Sequence, residues 1–211
     1  MTIRERYFQL VAQGPEVDRP AFFSDAVFAI ALTLLVIEIH VPDVSAAGLP
    51  AALLELAPEY LTFALSFLVI GAVWLSHHRK FRMIAAHDQT LLRLNLILLL
   101  FVATLPLPTA LLGRYGDTAI AVVVYAATIA LIGLAMAVVW TYAWRRRLTA
   151  PEVTLDLFVY MLGQTLLIPA VFALSIPTAL LFGPLAGQLA WLVALPLYVT
   201  VGRVYGVRRP G

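Results

Sequence analysis

Along this chain, long uncharged runs alternate with short charged segments, and the length of the runs sets the reading. Phe22–Val41 is a twenty-residue run that carries one charge near each end, Asp25 and Glu38, and is apolar between them. At 1.5 Å per residue this is about 30 Å of helix, the thickness of a hydrocarbon core. Glu59–Ser76, Leu94–Gly113 and Thr118–Trp144 repeat the pattern, and the last is long enough to tilt. From Asp156 to Arg203 there are 46 consecutive residues without a charge, about twice what one helix needs. Two spans joined by a hairpin within Pro177–Gly187 account for them, at about 157–177 and 187–205. The pattern predicts an all-α membrane protein of six transmembrane helices, residues 1–211 forming one transmembrane domain.

The segments between the runs complete the plan. Met1–Asp18 mixes charged and apolar residues and reads as a surface helix or a disordered lead, without the apolar core of a signal peptide. Pro42 to Pro58 is expected to be a loop, GRYGD (113–117) a tight turn, and HHRKFRMIAAHDQTLLR (77–93) and RRRLTAPEVTLD (145–156) basic loops. No internal repeat of the transporter kind is evident.

Charge then orients the chain. With the N-terminus cytoplasmic, thirteen of the fourteen Lys and Arg residues lie inside, and only Arg114 lies outside. This is the positive-inside distribution, and it puts both termini in the cytoplasm. The net charge of +2 is therefore a topology signal, and no nucleic-acid partner is implied. Composition agrees: 62% of residues are hydrophobic and 12% charged, with a mean hydropathy of +0.93, whereas soluble domains are about a quarter charged. The absence of cysteine excludes disulfides and thiolate metal sites. No nucleophile–base pair, paired central carboxylates or metal-ligand set appears, so no enzyme and no cofactor is expected.

The first run carries the chemistry. On a helical wheel, at about 100° per residue, Ile30, Thr33, Leu34 and Ile37 share one face and Asp25 lies nearly opposite. Near the cytoplasmic end sit Arg19, Ser24 and Asp25. The second span runs back to the same level and ends with Trp74 and His77, both potential donors to a carboxylate. A supporting network of Arg19, Ser24, Asp25, Trp74 and His77 is expected to fix the first helix. From spacing alone, the apolar stripe is equally a packing or lipid-facing stripe, Thr33 can bond its own backbone, and Glu38 can be a boundary residue that snorkels.

Arg-x-x-x-Phe-Ser-Asp followed by AVFAIALTLLV, here Arg19, Phe23, Ser24 and Asp25, resembles the signature of the bacterial relatives of transmembrane protein 175, the lysosomal potassium channel. The second-span ending WLSHHR is similar too. The resemblance covers the chain in topology and rests in residues on the first two helices. It implies a homotetramer in the bacterial plasma (inner) membrane, surrounded by lipid and conducting potassium through a pore lined by the first helix. Ile30 matches the hydrophobic constriction, Leu34 and Ile37 further layers, and Thr33 a selectivity-linked threonine.

Independently of that likeness, no TVGYG-type loop is present for a carbonyl filter, and an apolar ring can gate by dewetting. The outer side carries Glu38, Asp43, Glu55, Glu59 and Asp117 against Arg114, an arrangement that concentrates cations. The alternative is a secondary transporter or proton-permeable carrier of small cations, which would want an ionisable group at mid-membrane. The spans have none there.

Overall fold

The computed structural model describes residues 18–40 and 42–193. All eight elements in these stretches are helices: α1 (Asp18–Ile37), α2 (Leu49–Glu55), α3 (Ala57–Phe81), α4 (Gln89–Thr104), α5 (Pro106–Tyr115), α6 (Ala119–Arg145), α7 (Leu155–Phe182) and α8 (Pro184–Trp191). Five segments are long and apolar enough to cross a membrane: Arg19–Ile37, Ala57–Phe81, Gln89–Tyr115, Ala119–Arg145 and Leu155–Phe182. The chain is an all-α, multi-pass membrane protein. The expected lead (1–17), most of the sixth span and the basic C-terminal end fall outside the described residues; α8 occupies the start of that sixth segment.

Proline and capping chemistry set the helix ends. α2, α3, α5 and α8 each carry a proline in the first turn, where no N–H is required. α4 starts at Asp88, whose carboxylate accepts from the Leu91 N–H at 2.8 Å. The third span is broken at Leu105. Pro106 and Pro108 supply no N–H to the turn before them, and the Val102 carbonyl accepts instead from the Leu105 N–H at 3.2 Å. α7 runs through Pro169 and Pro177 to Phe182, and the chain reverses at Gly183, whose φ of 95° favours glycine.

Several expected bounds differ from the observed elements: the first span ends as a helix at Ile37 and not Val41, and the fifth runs to Phe182 and not 177. The segment from Pro42 to Pro58, expected to be a loop, contains the short helix α2. The second span does not end at Ser76: α3 continues to Phe81, so His77 and Lys80 stand on the helix and are fully buried. Their burial depends on neighbouring helices and not on local hydropathy, so the polar run HHRK reads locally as a loop.

α6 is the central element, packed on α4, α5, α7 and α8. It approaches α7 so closely that a β-carbon on Gly133 would lie 1.8 Å from Pro169 Cγ. A main core runs through Phe28, Leu35, Leu98, Tyr125, Ile129 and Phe172. A second cluster lies at the basic ends of the helices, where Trp144 stacks on Phe158 with centroids 4.9 Å apart. The two loops there are tied together, the Ala150 N–H donating to the Met83 carbonyl at 2.8 Å and the Ala85 N–H to the Leu148 carbonyl at 2.9 Å.

Candidate functional site

α1 presents two different faces. Ser24, Phe28, Ala31 and Leu35 recur at helical spacing and are buried against α3, α4 and α5. Ile30, Leu34 and Ile37 are left 58%, 40% and 66% exposed by the rest of the subunit. Thr33 is exposed on the same side, with its hydroxyl donating to the Ile30 carbonyl at 2.9 Å. The apolar stripe is therefore not internal packing of the subunit.

Five polar side chains hold the N-terminal half of α1 in two arms. In the first, Trp74 Nε1–H of α3 donates to Asp25 Oδ1 at 2.7 Å. In the second, His77 Nε2–H donates to Asn95 Oδ1 at 2.9 Å, Asn95 Nδ2 donates to Ser24 Oγ at 2.9 Å, and Ser24 Oγ–H donates to the Pro20 carbonyl at 2.7 Å. Since the amide oxygen of Asn95 can only accept, this arm assigns the proton to Nε2 of His77. His77 Nδ1 is buried without a hydrogen-bond partner among the described residues. The ring is clamped between Phe81, stacked at 4.1 Å, and Phe28 at 5.4 Å.

The sequence-derived network is thus partly redrawn. Asp25 and Trp74 meet directly. Ser24 and His77 meet only through Asn95, which sequence reasoning missed; the available signal was a lone amide in the apolar run LLRLNLILLL. Phe23 is on the exposed side, and Arg19 is exposed in the first turn of α1.

A further buried polar chain also escaped notice. Ser66 Oγ lies 3.0 Å from Tyr125 Oη and 2.9 Å from Thr109 Oγ1, which is itself 2.9 Å from the Leu105 carbonyl. It ties α3 and α6 to the broken third span. Beyond the C-terminal end of α1, Arg114 Nη2 lies 2.8 Å from His40 Nδ1. Glu38, Glu59 and Arg114 border one small cavity there. Among the described residues, no cluster of histidine and carboxylate side chains could hold a metal ion.

Buried helices tied by interhelical hydrogen bonds, with apolar side chains left uncovered on α1, α3 and α7, define a polytopic membrane protein. The family profile for the Endosomal/lysosomal potassium channel TMEM175 matches residues 19–106. A potassium channel of Chamaesiphon minutus is 43% identical over 141 residues, covering 64% of this chain and 68% of that one. A potassium channel of Streptomyces collinus is 43% identical over 130 residues, covering 61% of this chain and 63% of that one. The crystal structure of a lysosomal potassium-selective channel TMEM175 homolog from Chamaesiphon minutus superposes with a TM-score of 0.76 at 31% identity, over 89% of this chain and 99% of that one. The chain belongs to the TMEM175 family.

Proposed function

We infer that this chain forms a potassium-selective cation channel, not an enzyme, in which α1 lines the pore as one of four identical helices around an axis. The observation that carries the reading is the uncovered stripe Ile30, Leu34 and Ile37 on the one helix whose opposite face is pinned by Ser24 and Asp25. A single helix cannot enclose a path for ions, so copies must close a ring. Stacked apolar rings conduct when wide and empty of water when narrow. Ile30 forms the constriction, Leu34 and Ile37 add layers, and Thr33 contributes a hydroxyl between them. Partial dehydration at such a collar is easier for potassium than for the more tightly hydrated sodium. Potassium is the permeant species, and no resident cofactor is required.

In this reading the chain has six spans with both termini cytoplasmic and sits in the bacterial inner membrane, with lipid around the tetramer. The acidic outer residues concentrate cations at the entrance. Planar-bilayer recording of the purified protein under a potassium/sodium gradient tests the function, with unitary currents reversing near the potassium potential expected. Ile30→Asn should raise unitary conductance severalfold and move the reversal potential toward zero. Wild-type conductance and selectivity in that variant would remove Ile30 as the constriction.

A further inference from the structure

Lys80 is placed where a topology-setting lysine is not expected. Its side chain is 1% exposed, in a helix otherwise flanked by basic residues that reach solvent. Nζ donates to Ser76 Oγ at 2.7 Å. Among the described residues no carboxylate is recorded against it, and its neighbour in the chain, Arg79, carries the same sign. An ammonium has three protons to donate, and one hydroxyl does not neutralise it.

Lys80 and Ser76 border a cleft of about 80 Å³ between α3, α6 and α7. Gln164 borders it from α7, and its Nε2 is buried with no hydrogen-bond partner among the described residues. Among the described residues none that borders it is acidic, and the remaining walls are mostly apolar, with Met136 and Ile168 among them. The cleft therefore offers donors and positive charge on apolar walls. At about 10–15 Å³ per water-sized group, it has room for a handful of such groups, the size of a phosphate or carboxylate. Water could accept from these donors but supplies no negative charge.

The depth also fits. Tyr160, on the cleft's border, stands five residues inside the start of α7, about 7 Å along the axis. Met136 is nine residues inside the end of α6, about 14 Å. This is the zone just below the headgroups, on the side where the helices end in basic residues. Basic pockets between membrane helices on such a side take anionic heads.

We propose that this cleft binds the anionic head, phosphate or carboxylate, of a membrane amphiphile, with Lys80 and Gln164 as donors and the acyl chain lying along Met136 and Ile168. The site is independent of the pore and does not rest on the channel reading.

The test uses the purified full chain in detergent, stripped of lipid, with thermal unfolding and native mass spectrometry as readouts. Four probes are compared: phosphatidylglycerol, oleate, phosphatidylcholine and inorganic phosphate. Phosphatidylglycerol or oleate should raise the midpoint by several degrees and leave one bound molecule per subunit; which of the two does so identifies the source of the head. Lys80→Met and Gln164→Leu should cut that shift at least threefold, while Arg145→Gln, at an exposed position of the same end, keeps it. A full wild-type response in Lys80→Met overturns the proposal. So does an equal shift from phosphatidylcholine or inorganic phosphate, or no shift of the wild type by either anionic amphiphile. Should Lys80→Met not fold, Gln164→Leu decides by the same criterion.

Discussion

Asn95 ties the N-terminal half of α1 to α3 through α4. It is 3% exposed and takes one hydrogen bond from His77 while giving one to Ser24. Asn95→Leu keeps the branched shape and the number of heavy atoms but removes both bonds, leaving a buried imidazole and a buried hydroxyl short of a partner. A loss of about 1–3 kcal/mol is expected, seen as a lower unfolding midpoint of the detergent-solubilised protein. Asp25→Ala breaks the other arm, to Trp74, and should lower the yield of the assembled complex as well.

Asp88 stands outside the spans and reads out in acid. Burial pushes its carboxyl up, but the Leu91 and Thr90 N–H groups, the Tyr142 hydroxyl and the Arg146 charge outweigh this and hold it below the usual carboxylate range. The unfolded chain therefore takes up the proton first as pH falls. The stabilisation from Asp88 is fully present above the ordinary aspartate value of about 3.9 and fades as pH drops through the lower folded value. Asp88→Ala should cost about 1 kcal/mol at neutral pH through loss of the α4 cap and flatten the acid limb of a stability–pH curve measured by thermal unfolding.

Between elements, α6 and α7 cross in close contact at Gly133. Gly133 exists as glycine because Pro169 occupies the space a side chain would need. Gly133→Val must push α7 outward or abandon the contact, and a midpoint lower by several degrees is expected. Gly163→Ala, which meets nothing within 4 Å, is the control. The spans themselves were legible because apolar run length is a local property. The break at Leu105 could be read from Pro106 and Pro108, whose missing donors act within one turn. The extension of α3 through Phe81 could not, because His77 is stabilised there by Asn95, eighteen residues on, and by its stacking between aromatic rings.

For the whole molecule, the expectation is four subunits. Native mass measurement of the solubilised complex should give about four times the 23.1 kDa chain, and a monomer that still conducts would end the ring of α1 helices. The outward stripe of α1 is the surface on which that assembly is argued. Ile30, Leu34 and Ile37 could be placed on one face from periodicity, and the structure shows that face uncovered in the subunit.

Hydropathy and charge along the chain were enough to determine an all-α membrane protein, the approximate places of five apolar helices, and a first helix with an apolar stripe and an acid on different sides. Each of these follows from the chemistry of residues close in sequence. Only the tertiary structure decided that Asn95 joins Ser24 to His77, that Trp74 takes Asp25, and that Lys80 lies buried beside Gln164. These pairings connect helices far apart in the chain. A buried polar group has to find a partner, but which one it finds is set by how the helices pack.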